Sequence, residues 1–280
     1  MRLIFGLLIF CLLGTNFCIK TCHAQDLYDY SHSAEFAQYL LETRQFSLAI
    51  SELERLVFLN PTDMGVQRKL LSTYIKADIS VEGLKRADLM YPVPKSIPAE
   101  IAPTYAFMLL KEKDFSRAED FLNSNSNLTV DEKYLFLGTR YALDHQWSEA
   151  KFYYDQVPVT QKPIIAEYRE IVDHSLAQKP KSPLLATGLS ILVPGAGKVY
   201  TKDWKNGVMS FLFVGATAWQ AYRGFDRSGV ESIRGWIFAS VSTGFYIGNV
   251  FGSYKSAKIF NRSQNEQRQN EIENLFYSDY

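Results

Sequence analysis

The sequence predicts an all-α chain, a helical-repeat array followed by a C-terminal transmembrane helical hairpin. Three observations predict it. From about Ser31 to Gln178 apolar residues recur at three- and four-residue spacing, the period of a helix with one buried stripe. Small residues return across that stretch at separations of 34, 35 and 32. Two charge-free runs, 206–222 and 235–253, then follow close together.

With 280 residues the chain is long enough to bury a sizeable core. Its formal net charge is zero, unevenly spread. Residues 26–182 carry 18 Lys+Arg against 23 Asp+Glu, a net of −5, and residues 183–280 carry 10 against 7, a net of +3. A basic C-terminal part suits anionic lipid headgroups. The folded arm lacks the basic stripe of a nucleic-acid binder, so no nucleic acid is expected.

The N-terminus reads as a signal peptide over 1–24. Arg2 is its positive start, Leu3 to Leu13 its apolar run, and Cys22 and Ala24 the small residues before a cleavage point. All three cysteines fall within the first 22 residues, so the processed chain would hold no disulfide, thiolate metal site or Cys nucleophile.

Residues 26–178 form the arm. The segment from Ser33 to Pro61 divides into two helices around Arg44-Gln45 and closes at Asn60-Pro61, since Pro lacks an N–H and clashes with the preceding turn. The recurring small residues are Ala49, Gly83, Ala118 and Ala150. Twelve positions before them lie Ala37, Leu71, Ala106 and Gly138, and three after those, Leu40, Tyr74, Leu109 and Tyr141. Phe46, Ser80, Phe115 and Trp147 stand just before the second helices. This pattern resembles the tetratricopeptide repeat, whose paired helices touch at small positions. The resemblance implies repeat packing at Ala37, Ala49, Ala106, Ala118, Gly138 and Ala150, and a groove that takes a protein or peptide partner. Lys and Arg do not cluster as a carboxylate clamp. Residues 163–178 read as a capping helix, 91–103 (four Pro) as a connector, and 179–183 as a linker.

The membrane domain is expected over 184–254, with a short segment 184–199 and spans 206–222 and 235–253. At 1.5 Å per residue each span is about 25–29 Å long, the lower end of what crosses a bilayer. Trp204, Trp219, Tyr222, Trp236 and Tyr254 flank them as an aromatic belt. Ser240, Gly244, Gly248 and Gly252 share one helix face, a stripe for close helix packing. Its expected partner is the 206–222 helix; a second copy is the alternative. The turn Pro194-Gly195-Ala196-Gly197-Lys198-Val199-Tyr200 and the loop end Lys205-Asn206-Gly207 resemble a family of small bacterial two-transmembrane domains without an assigned activity. A phosphate-loop reading of Gly197-Lys198 fails, because Leu192 and Val199 stand where Gly and Ser/Thr are needed. If 184–199 also crosses or re-enters, the basic loop and the basic tail share the inner side. The tail 255–280 reads as a polar amphipathic helix.

Catalytic, cofactor and metal residues are not expected: His32, His145 and His174 are isolated, and Asp144-His145 sits in a turn. The resulting expectation is a scaffold or adaptor at the bacterial cytoplasmic membrane, its repeats on the periplasmic side, touching lipid and one protein partner. The alternative is a small transporter or lipid-handling unit regulated by the arm.

Overall fold

A computed structural model describes residues 29–160 and 162–278, and among these the chain is all-helical, with thirteen α-helices and no strand. The signal-peptide expectation lies outside the described residues. Two compact units divide at Met108/Leu109, within α5.

The first unit holds α1 (Tyr30–Glu42), α2 (Phe46–Leu59), α3 (Met64–Lys76) and α4 (Ser80–Met90), each packed on its neighbour in sequence. Ala37, Leu53, Leu56, Val57, Val66 and Leu70 make its core. Asp29 and Asp63 start α1 and α3 by accepting from the backbone N–H of His32 and Val66, satisfying donors that a helix start leaves open. Between α4 and α5 the proline-rich segment is more than a connector, since Ile97 and Ile101 are fully buried.

Helix α5 (Ala102–Lys111) leads to α6 (Phe115–Ser124), α7 (Val130–Leu143), α8 (Trp147–Tyr154) and α9 (Ile165–Ala177). Thr129 and Glu132 close a reciprocal capping box at the start of α7. In the second unit α6 packs on α7, α7 on α8 and α8 on α9. The Arg169 guanidinium donates to the carbonyls of Tyr154 and Val157, fixing the end of α8.

One turn recurs between paired helices. Arg44, Asp78, Lys113 and His145 all have φ between 56° and 59°, two residues before α2, α4, α6 and α8 begin. After each, an N–H reaches back to the carbonyl of Leu40, Tyr74, Leu109 or Tyr141 at 2.8–3.1 Å. This is the Schellman closure of a helix, here with a non-glycine residue in the left-handed position. The small positions Ala37, Ala49, Gly83, Ala106, Ala118, Gly138 and Ala150 are all buried.

The remainder is α10 (Pro183–Leu192), α11 (Ala196–Tyr200), α12 (Trp204–Ser228) and α13 (Ile233–Ser278). Residues 184–199 do not form one helix. The ten residues of α10 rise about 15 Å, half of a ~30 Å hydrocarbon core. Helix α12 runs past Arg223, Asp226 and Arg227, so only a short 3₁₀ turn, Gly229–Glu231, stands before α13 where the two expected spans left twelve residues between them. Helix α13 is 46 residues long and absorbs both the expected span 235–253 and the polar tail. None of the described helices is long and apolar enough to cross a membrane.

Candidate functional site

The turn between α10 and α12 is where side chains of four helices converge. Pro194 follows the end of α10, and Gly195 takes φ 89°, a left-handed conformation that favours glycine. A Cβ on Gly195 would lie 2.0 Å from the Gly207 carbonyl oxygen, and one on Gly197 1.9 Å from that of Ala186. Lys202 (φ 63°) then repeats the Schellman turn of the paired helices, with the Asp203 N–H donating to the Lys198 carbonyl at 2.9 Å. The Tyr200 hydroxyl accepts from the Ser182 N–H at 3.3 Å, and Lys181 Nζ lies 4.5 Å from the ring centre. Pro194, Gly195 and Gly197 therefore let the backbone turn closely enough for α10, α11 and α12 to meet α13, and Tyr200 ties the turn to Ser182.

Polar side chains hold that meeting together. Asn249 Oδ1 accepts from the Gly195 N–H at 3.1 Å. Ser190 Oγ and Ser253 Oγ are 2.7 Å apart, and Ser190 also accepts from the Gly197 N–H. Thr201 and Ser256 hydroxyls pair at 2.6 Å. Lys198 Nζ donates to Ser210 Oγ at 2.8 Å.

The distribution of apolar side chains is inverted. Ser190 and Ser253 are 0% exposed and Asn249 3%, whereas Leu192 is 80%, Phe251 72% and Trp219 60% exposed. Phe211, Leu212, Trp236, Ile237 and Ile247 are exposed as well. Small and polar residues fill the inside and large apolar ones face outward.

Within the chain the glycine stripe does not meet the 206–222 helix. A Cβ on Gly244 or Gly248 would meet nothing within 4 Å, and Ser240 is exposed. Helix α12 instead meets α13 through Ser242, which donates to the Val214 carbonyl, and through Phe245, stacked on Phe213. Helix geometry places the stripe there: Asn249 and Ser253, which face inward, are each one residue, about 100°, round the helix from Gly248 and Gly252. Gly252 meets only the Lys198 side chain, at 3.2 Å.

The end of α13 carries the weakest sequence signal. It packs on α7 and α9, burying Ile272 and Phe276, with the Phe276 ring edge-on to Phe136 at 6.2 Å. Glu273 pairs with Lys113 at 2.9 Å. The linker is pinned too, since the Asn261 amide accepts from the Lys181 N–H and donates to its carbonyl. The signal was the four-residue spacing of Ile272 and Phe276 in an otherwise polar run. In the α7–α8 turn Asp144 accepts from Gln146 Nε2, and His145 supplies the left-handed residue. Among the described residues no three His, Cys, Asp or Glu side chains gather as a metal site. No family model and no curated protein matches the sequence.

Proposed function

We propose that the chain is a lipid-seated adaptor of the cell envelope. Its helices α10–α12 and the first half of α13 lie in the cytoplasmic membrane, and its paired helices, on which the end of α13 docks, offer a surface to a protein partner on the periplasmic side. The inverted packing of α10–α13 carries this reading. Each large apolar side chain left in water forgoes about 1.5–3 kcal/mol of burial. A buried Asn–Ser–Ser network is how helices hold together where the surroundings are apolar.

The four identical turns and the buried small positions support a tetratricopeptide-like array, which builds binding surfaces from stacked helix pairs. In the second unit the faces of α7 and α9 are covered by α13, so the partner surface is assigned to α1–α4. There Phe36 and Tyr39 stack in the open, with ring centres 6.5 Å apart.

Flotation of the full-length chain with zwitterionic phosphatidylcholine vesicles tests the membrane half. The protein should rise with the vesicles in high salt, and protein left at the bottom of the gradient would end the reading. Cross-linking from a photoreactive residue at position 39, in cells, tests the partner half. Adducts should disappear when Phe36 becomes Asp.

A further inference from the structure

Two cavities run in series along α13. The larger, of about 600 Å³, lies against Lys198, Lys202 and Lys255, with Thr201, Ser256 and Asn206 in its walls. The smaller, of about 230 Å³, continues past Met209, Phe213 and Phe245. Lys198 and Asn206 line both. Glycine floors them: Gly252 in the larger, Gly244 and Gly248 in the smaller. The stripe that finds no helix against it thus leaves room beside α13.

The charge in the larger cavity is one-sided. Three ammonium groups face one carboxylate, Asp203, both of whose oxygens accept from Asn206 Nδ2 at 3.0 Å. Lys198 is bonded to a hydroxyl, and Lys202 Nζ stands 5.7 Å from the Phe260 ring centre. In the smaller cavity Asn249 Nδ2 is buried with no acceptor, although its Oδ1 is bonded. A buried donor without a partner is rare enough to call for one. One end of the pair therefore asks for an anion and the other offers aromatic and methionine side chains over a glycine floor.

We propose that the two cavities hold one anionic phospholipid, its phosphate among Lys198, Lys202 and Lys255 and its glycerol and upper acyl chain along Gly244 and Gly248. The glycerol ester carbonyls are the acceptors within reach of the Asn249 amide. The lipid source rests on the membrane reading above; the phosphate chemistry would equally take the free anion.

Native mass spectrometry of the full-length chain, released from detergent containing equal phosphatidylglycerol and phosphatidylcholine, tests this. Phosphatidylglycerol adducts should dominate. A lysine near an anionic headgroup contributes about fivefold, so Lys198→Gln, Lys202→Gln and Lys255→Gln combined should lower them by more than tenfold. Gly248→Leu, which fills the smaller cavity, should lower them with all three lysines present. Lys205→Gln with Lys258→Gln removes two charges outside these cavities and should leave them unchanged. Equal retention of both lipids, or adducts that survive the triple variant, would overturn the proposal. So would full displacement by inorganic phosphate together with indifference to Gly248→Leu, which would mark a plain anion site. Failure to float with phosphatidylcholine strikes the membrane reading alone, because the adduct comparison is made in detergent.

Discussion

Gly138 and Gly244 are both helical glycines, and the same substitution should move them in opposite directions. A Cβ at 138 would sit 2.5 Å from two ring atoms of Tyr154. That ring is fully buried, lies 5.1 Å from Tyr168, and its hydroxyl donates to Thr139 Oγ1, so it has nowhere to go. Gly138→Ala should lower stability by about 1–3 kcal/mol, the range for overpacking. Gly244→Ala meets open space and should raise it by a few tenths to about 1 kcal/mol through helix propensity. Urea denaturation of the full-length chain in detergent measures both. A second residue-scale effect is pH. Tyr30 donates to Asp63 Oδ2 at 2.6 Å. That bond, ahead of the Val66 N–H, holds the Asp63 carboxyl below its ordinary 3.8, while burial and then Asp63 push the Tyr30 phenol up to about 12. The depressed acid contributes stability above 3.8 that is lost as pH falls through its folded value. The raised phenol contributes stability below 10 that is lost between 10 and about 12. Asp63→Asn keeps a capping oxygen for α3 and should flatten the acid slope of melting temperature against pH while narrowing the alkaline one.

At the scale of the element, α13 carries most of what the sequence hid. The paired helices were legible because their breaks, such as Arg44-Gln45 and Asn60-Pro61, act within a turn or two, and because small residues return every 32–35 positions. The site motif was legible for the same reason, since Pro194 and Gly195 set the backbone whatever surrounds them. The destination of residues 255–278 was not, because Ile272 and Phe276 need a partner surface more than 130 positions earlier, at Phe136. Nor was the glycine face, whose spacing fits a helix contact and a cavity floor equally well. The docked end should be structural. Phe276→Ala should cost about 3–5 kcal/mol, as for a buried aromatic truncation. Lys113→Ala should cost less than about 1 kcal/mol, because its bridge to Glu273 is half exposed. Hydrogen exchange should show the loss in the amides of α7 and α9 as well as in the last turns of α13. Exchange confined to α13 would mean that its end lies on the array without supporting it.

For the whole molecule, the inverted packing has a consequence that the native tryptophans can read. The chain has four. Trp204, Trp219 and Trp236 stand on exposed faces of α12 and α13, and Trp147 is buried at the start of α8 in the paired helices. If lipid surrounds α10–α12 and the first half of α13, acyl chains brominated near the headgroup should quench the first three and spare Trp147. Four single-tryptophan variants, the other three changed to Phe, separate the contributions. Lys205 follows Trp204 in the sequence, Arg234 stands two residues before Trp236, and Trp219 stacks on Tyr222 at 5.7 Å, one residue before Arg223, so each stands within four residues of a cationic one, as interfacial aromatics do. Shallow bromines should then quench all three more strongly than bromines near the chain ends. Strong quenching of Trp147 would place the paired helices in lipid as well. Equal quenching at both bromine depths would remove these residues from the interface and with them the seat proposed for the three lysines.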